Sequence, residues 1–125
     1  MGKPGKPTEA ELAILRVLWR RGPSTVKEVH EALAAPTAYT TTLKLLQIMT
    51  DKRLVLRDES QRAHRYRARL AEAQTEGQLV GDLLDRVFDG SASRLVQRAL
   101  SARPASTDEL AEIRRLLDRL EGEGR

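Results

Sequence analysis

Residues 38–69 read AYTTTLKLLQIMTDKRLVLRDESQRAHRYRAR, and this stretch decides the fold. Thr42, Leu45, Leu46 and Met49 stand at positions i, i+3, i+4 and i+7, which gathers them on one stripe of a helix from Ala38 to Lys52. The opposite face of that helix then carries Thr40, Thr41, Lys44, Gln47, Ile48 and Asp51. Beyond Lys52 the period changes to two. Leu54 to Arg57 and His64 to Arg67 are short apolar or aromatic runs suited to paired strands, and Asp58 to Arg62 is their polar connection, a hairpin or wing. Arg65, Arg67 and Arg69 alternate with His64, Tyr66 and Ala68, so the arginines share one face of a cationic ribbon.

Upstream, two helix starts are written in the same chemical form. Thr8 with Glu11, and Thr25 with Glu28, are capping boxes, in which a hydroxyl and a carboxylate each bond an orphan backbone donor of the first turn. The first helix carries Leu12, Leu15, Leu18 and Trp19 on its apolar face and closes at Arg20, Arg21, Gly22 and Pro23. The second is shorter, buries Val26, Val29 and Leu33, and is ended by the Ala34 to Thr37 segment with its Pro36. Met1 to Pro7, rich in Gly, Pro and Lys, is expected to be a loose basic tail.

Downstream, the chain is expected to be helical again from Leu70 to Asp89 and Gly90. Leu79, Leu83 and Val87 form its stripe, Leu84 and Phe88 lie beside it, and Gly77 and Gly81 weaken it locally. Ser91 or Ser93 caps a short helix containing Leu95 and running through Leu100, Pro104 interrupts, and Ser106 with Glu109 opens a last helix. There Leu110, Ile113, Leu117 and Leu120 follow three-four-three spacing, the seam of a short helix pair. These late helices have little globular bulk of their own to pack on, so a second copy of the chain is the economical place to bury Leu79, Leu83, Val87, Leu95, Leu110, Ile113, Leu117 and Leu120. The expected fold class is mainly α: a tail over 1–7, a winged helix-turn-helix domain with a small β-hairpin wing over 8–70, and a helical dimerisation domain over 71–125.

Charge divides the chain in the same place. Residues 1–70 hold 14 Lys/Arg against 7 Asp/Glu, net +7, whereas the remainder holds 8 against 11, net −3. A basic half joined to an acidic half fits a polyanion partner for the first and self-association for the second. No Cys is present, which excludes disulfide frameworks, thiol nucleophiles and thiolate metal sites. The two histidines, His30 and His64, lie on different elements, and no Gly-rich phosphate loop or nucleophile-base pair occurs. Asp108, Glu109 and Glu112 read as charges at a helix start rather than a metal site. The expectation is therefore no enzyme, no cofactor, no metal and no membrane insertion, with a cytoplasmic location.

Helix, helix, turn, helix and hairpin is the order in which a third helix can enter a major groove. Tyr39, Thr40, Thr41, Lys44 and Gln47 are the candidate contacts on that helix, because hydroxyl, amide and ammonium groups suit phosphates or base edges. Arg62, Arg65 and Arg67 are the wing candidates, with Arg69, Lys52, Arg53 and Arg57 nearby for counterion release. The alternative is a winged helix used as a protein-docking module without operator binding. It would need an apolar outer face on the third helix, which here is polar except at Ile48.

The runs TEAELAILRVLWRRGPSTVKEVHEAL, AYTTTLKLLQIM and DKRLVLRDESQRAHRYRA, with FDGSASRLVQRAL and DELAEIRRLLDRL behind them, resemble the penicillinase repressor family over nearly the whole chain. The resemblance implies a homodimeric repressor of palindromic operators, often with TACA/TGTA cores, with Thr40, Thr41, Lys44, Arg62 and Arg65 as DNA-contacting positions. A sensor protease is a candidate partner, with induction by proteolysis or another signal. The chain departs from the family pattern at Lys44, where Thr is usual, at Ile48, where Arg is frequent, and at Thr42, where an apolar residue is usual. Arg98 and Ala99 stand where β-lactamase repressors carry a cleaved Asn-Phe pair, and the Cys-rich C-terminus of copper-responsive relatives is absent.

Overall fold

The computed structural model describes residues 5–34 and 37–123, and the chain separates into two compact units, Met1–Val80 and Gly81–Arg125. The described elements run α1 (Glu9–Arg21), β1 (Ser24–Thr25), α2 (Val26–Ala32), α3 (Tyr39–Asp51), β2 (Val55–Asp58), β3 (Arg65–Ala68), α4 (Glu72–Val87), α5 (Ala92–Ala102) and α6 (Thr107–Glu123). Met1 to Pro4, Ala35 and Pro36 lie outside the described residues, and with them most of the expected tail and the proline break after the second helix.

Both N-terminal capping boxes form. Thr8 accepts from the Glu11 N–H at 3.2 Å while Glu11 accepts from the Thr8 N–H at 2.9 Å, and Thr25 and Glu28 repeat the pattern at the same two distances. Gly22 ends α1 at φ 85°, a left-handed conformation that a side chain resists. The core of the first unit gathers Ile14, Leu15 and Leu18 from α1, Val26 and Val29 from α2, Leu46 and Met49 from α3, and Leu54, Val55 and Tyr66 from the hairpin region. Ile14 is fully buried, whereas Leu12 and Trp19, expected on the buried stripe, flank it. Because α1 packs on α2, α3 and β3 together, its buried arc is wider than one stripe and takes in Glu11.

A third strand, β1, adds to the expected hairpin pair. β3 lies between β1 and β2, with Ser24 opposite Tyr66, Thr25 opposite Arg65, and Val55, Leu56, Arg57 and Asp58 opposite Ala68, Arg67, Tyr66 and Arg65. Ser24 and Thr25 thus anchor the hairpin to the start of α2. The expected hairpin is displaced by one residue, and the reason is the end of α3. Arg53, at φ 65°, donates its N–H to the Thr50 carbonyl at 3.1 Å, and Leu54 donates to Met49 at 2.9 Å. This is a Schellman closure with its apolar contact between the buried Met49 and Leu54, and it commits the Leu54 N–H to the helix rather than the ladder. Trp19 Nε1 donates to the Leu70 carbonyl at 2.9 Å, and α4 starts at Glu72 rather than Leu70.

A buried carboxylate and the lysine it holds tie Gly5 and Lys6 to the end of α3. Glu11, 2% exposed, bonds Lys52 Nζ at 2.6 Å, and that ammonium also donates to the Lys6 carbonyl at 2.8 Å while the Gly5 N–H reaches the Lys52 carbonyl at 3.0 Å. Gly5 and Lys6, in the described part of the expected tail, are thus bonded to Lys52, which the buried carboxylate holds within their reach. Burial pushes the Glu11 carboxyl up, but the Lys52 hydrogen bond and charge and the Thr8 N–H outweigh it and hold the group below its ordinary value. A carboxyl depressed in the folded state adds stability above its unfolded pKa and loses it as pH falls through the folded one. Glu11→Gln is expected to cost about 1–3 kcal/mol in urea denaturation at neutral pH, and to flatten the fall in stability on the acid side.

Candidate nucleic-acid interface

The candidate surface is defined by what α3 hides. Thr42, Leu46 and Met49 are buried and Leu45 is partly buried, so Tyr39, Thr40, Thr41, Lys44, Gln47, Ile48 and Asp51 are all turned outward and exposed. No side chain caps α3: Ala38 at its N-cap position makes no side-chain bond, in contrast to the boxes of α1 and α2. The helix start is met from α2 instead. His30 Nδ1 lies 3.1 Å from Thr42 Oγ1, and the His30 ring meets Tyr39 edge-on, with centroids 5.7 Å apart at 76°. Nothing in the local sequence pattern around His30 signals these contacts, which join two helices.

The hairpin sorts its side chains by pleat. Tyr66 is buried and Ala68 half-buried, while Arg67 and Arg69 are exposed on the other face, where Arg67 stands opposite Leu56. Arg62 is exposed on the connection between the strands. Asp58 accepts the Ser60 N–H at 2.9 Å, an Asx-type turn that leads into that connection. Ser60, followed by the Arg65 and Arg67 charges, holds the Asp58 carboxyl below its ordinary value despite some burial.

Several of the basic residues are already engaged. Arg65 donates to Glu28 Oε1 at 3.2 Å, Arg21 lies 3.6 Å from the other oxygen of that carboxylate, and Arg57 pairs with Glu59 at 2.8 Å. The Thr25 N–H and then these arginines hold Glu28 below the ordinary carboxylate value. Arg65 thus links the wing to the capping box of α2 and stays half-exposed, whereas Lys52 is drawn further inward by Glu11. Lys44, Arg62 and Arg67 appear in no such pair among the described residues. No three His, Asp or Glu side chains among those residues stand close enough to hold a metal ion, and no described helix is long and apolar enough to cross a membrane.

The second unit offers a different surface. Among its described residues none is buried, and Leu83, Val87, Val96, Leu116, Leu117 and Leu120 are exposed large apolar side chains, Val87 by 57% and Leu120 by 54%. Leu95, Leu110 and Ile113 are half-buried, as is Leu79 in the part of α4 that precedes this unit. Ser91 caps α5 through the Arg94 N–H, and Ser106 accepts the Glu109 N–H at the start of α6.

Three helices, a three-stranded sheet and an outward-facing third helix define a winged helix-turn-helix protein. The model of the penicillinase repressor family matches residues 7–119, and the chain belongs to that family. It is similar to the transcriptional regulator BlaI of Mycobacterium tuberculosis, strains CDC 1551 / Oshkosh and ATCC 25618 / H37Rv, at 36% identity in each case over 124 residues, or 97% of this chain and 89% of the relative. Those relatives are regulators of transcription, not enzymes.

The two faces of α3 separate stability from recognition. Leu46→Ala is expected to cost about 2–5 kcal/mol in denaturant unfolding, whereas Lys44→Ala and Gln47→Ala are expected to stay within about 0.5 kcal/mol of the parent.

Proposed function

We propose that this transcriptional regulator is a homodimeric repressor that binds palindromic operator DNA in the cytoplasm. Residues 8–70 form the DNA-binding domain and 71–125 the dimerisation domain. The observation that carries the reading is the division of α3: its buried stripe fixes the helix while Tyr39, Thr40, Thr41, Lys44 and Gln47 are left outward, near the N-terminal end that enters a groove in this class. Tyr39, Thr40 and Thr41 supply hydroxyls, Lys44 an ammonium and Gln47 an amide, groups that bond phosphate oxygens or base edges. Arg62 and Arg67 add wing contacts, and Arg65, half-buried, contributes through the Glu28 link as well as through its charge.

Dimerisation is supported by the absence of any buried residue among the described part of the second unit. A helical segment with exposed Leu83, Val87, Leu117 and Leu120 gains its burial from a partner, and the half-buried Leu79, Leu95, Leu110 and Ile113 are the further dimerisation candidates. Twofold symmetry in the protein then matches palindromy in the operator. Release from DNA through a sensor protease or another inducing signal belongs to the same reading.

Mobility shift against competitor duplex tests the operator claim, with a salt-dependent preference for one sequence expected and equal binding to all duplexes contradicting it. Lys44→Ala is expected to weaken specific binding more than non-specific binding, and Arg67→Ala to lower the salt slope by about 1. Sedimentation of the intact chain against a chain ending before Ser91 tests dimerisation. A dimer that the truncation weakens supports the claim, and monomers in both sink it.

A further inference from the structure

The start of α3 is held by a side chain from another helix, and this sets it apart from α1 and α2. Its N-cap residue, Ala38, offers no side-chain bond. Thr42, one turn into the helix, is 0% exposed, and its hydroxyl must find a partner inside the protein. That partner is His30 Nδ1 on α2, at 3.1 Å. The same imidazole meets the ring of Tyr39, the first residue of α3, edge-on with centroids 5.7 Å apart. One side chain therefore grips both ends of the first turn of α3, and Thr40 and Thr41, exposed, lie between the two grips.

We infer that His30 is a positioning residue for operator recognition, holding the first turn of α3 through Thr42 and Tyr39 so that Tyr39, Thr40 and Thr41 meet base edges in one geometry. The inference rests on the operator-binding reading above. His30 itself touches no DNA in this account; it acts through its two neighbours. Hydrogen bonds to base edges are sensitive to small displacements, whereas attraction to phosphates tolerates them. Loss of the grip should therefore reduce specific binding and spare non-specific binding. A side chain that only filled space would affect both alike, through the fraction of folded protein.

The test uses the full chain and two duplexes of equal length: one recovered with the wild-type protein from a random-sequence library, the other its shuffled counterpart. His30→Ala is expected to weaken binding to the selected duplex by about five- to tenfold, with binding to the shuffled duplex and the salt slope unchanged. Thr42→Val, which removes the buried hydroxyl without opening a cavity, is expected to add nothing to the loss when combined with His30→Ala. His30→Gln, whose amide can still bond the Thr42 hydroxyl, is expected to recover part of the affinity and serves as the folded reference if His30→Ala unfolds. Equal losses on both duplexes, or strictly additive effects of the His30 and Thr42 substitutions, would overturn the inference. A wild-type chain that prefers no duplex in the library would instead overturn the operator-binding reading itself.

Discussion

The structure depends on one constraint: Thr42, Leu46 and Met49 must leave water, and the only place for them is the core shared with α1, α2 and the hairpin. Burial of that stripe fixes the rotation of α3 about its axis. Each of the apolar side chains contributes on the order of 1.5–3 kcal/mol when fully buried, so a rotation exposing them would cost more than surface contacts could return. The polar face of α3 is outward as a consequence. The Schellman closure at Arg53 then ends the helix and delivers the chain into the hairpin, so the same packing that orients α3 also places the wing.

Polar pairing decides which charges remain available around this core. Glu11 claims Lys52, Glu28 claims Arg65 and Arg21, and Glu59 claims Arg57. The 14 Lys/Arg of residues 1–70 therefore overstate the cations free to meet a polyanion. The pairs do structural work of different kinds: Glu11 lies within the protein and joins α1 to the end of α3, whereas Glu28 lies nearer the surface and joins the wing to the helix-turn-helix. Exposed pairs of the second kind contribute little stability on their own. Their effect is to restrict where the hairpin sits.

Much of the fold was legible because its signals are local. Thr8 with Glu11 and Thr25 with Glu28 announce helix starts whose bonds close within four residues, and the period of Thr42, Leu46 and Met49 identifies the buried face of α3 without knowledge of its neighbours. The misreadings involve distant partners. Ser24 and Thr25 read as a helix cap, which they are, but two residues carry no strand pattern, and only Tyr66 and Arg65 opposite them reveal β1. The strand bounds differ by one residue because the Leu54 N–H is claimed by α3, and Gly5 and Lys6 are held by a lysine 46 residues away from Lys6. On the candidate interface the outward residues of α3 were legible by elimination, but the Arg65 link to Glu28 and the His30 contacts with Thr42 and Tyr39 were not, since each joins elements that sequence spacing does not relate.

The two units divide the work between a packed core and an open apolar surface. The first buries its stripes within one chain, while the second, with Leu83, Val87, Leu117 and Leu120 outward, does not. The central claim is that α3 presents one face to DNA, and an amide-resolved NMR titration of the full chain with a duplex selected by the wild-type protein tests it most directly. Perturbations are expected to concentrate at Tyr39, Thr40, Thr41, Lys44 and Gln47 and on the wing near Arg62 and Arg67. Perturbations confined to α5 and α6, with α3 unmoved, would contradict it.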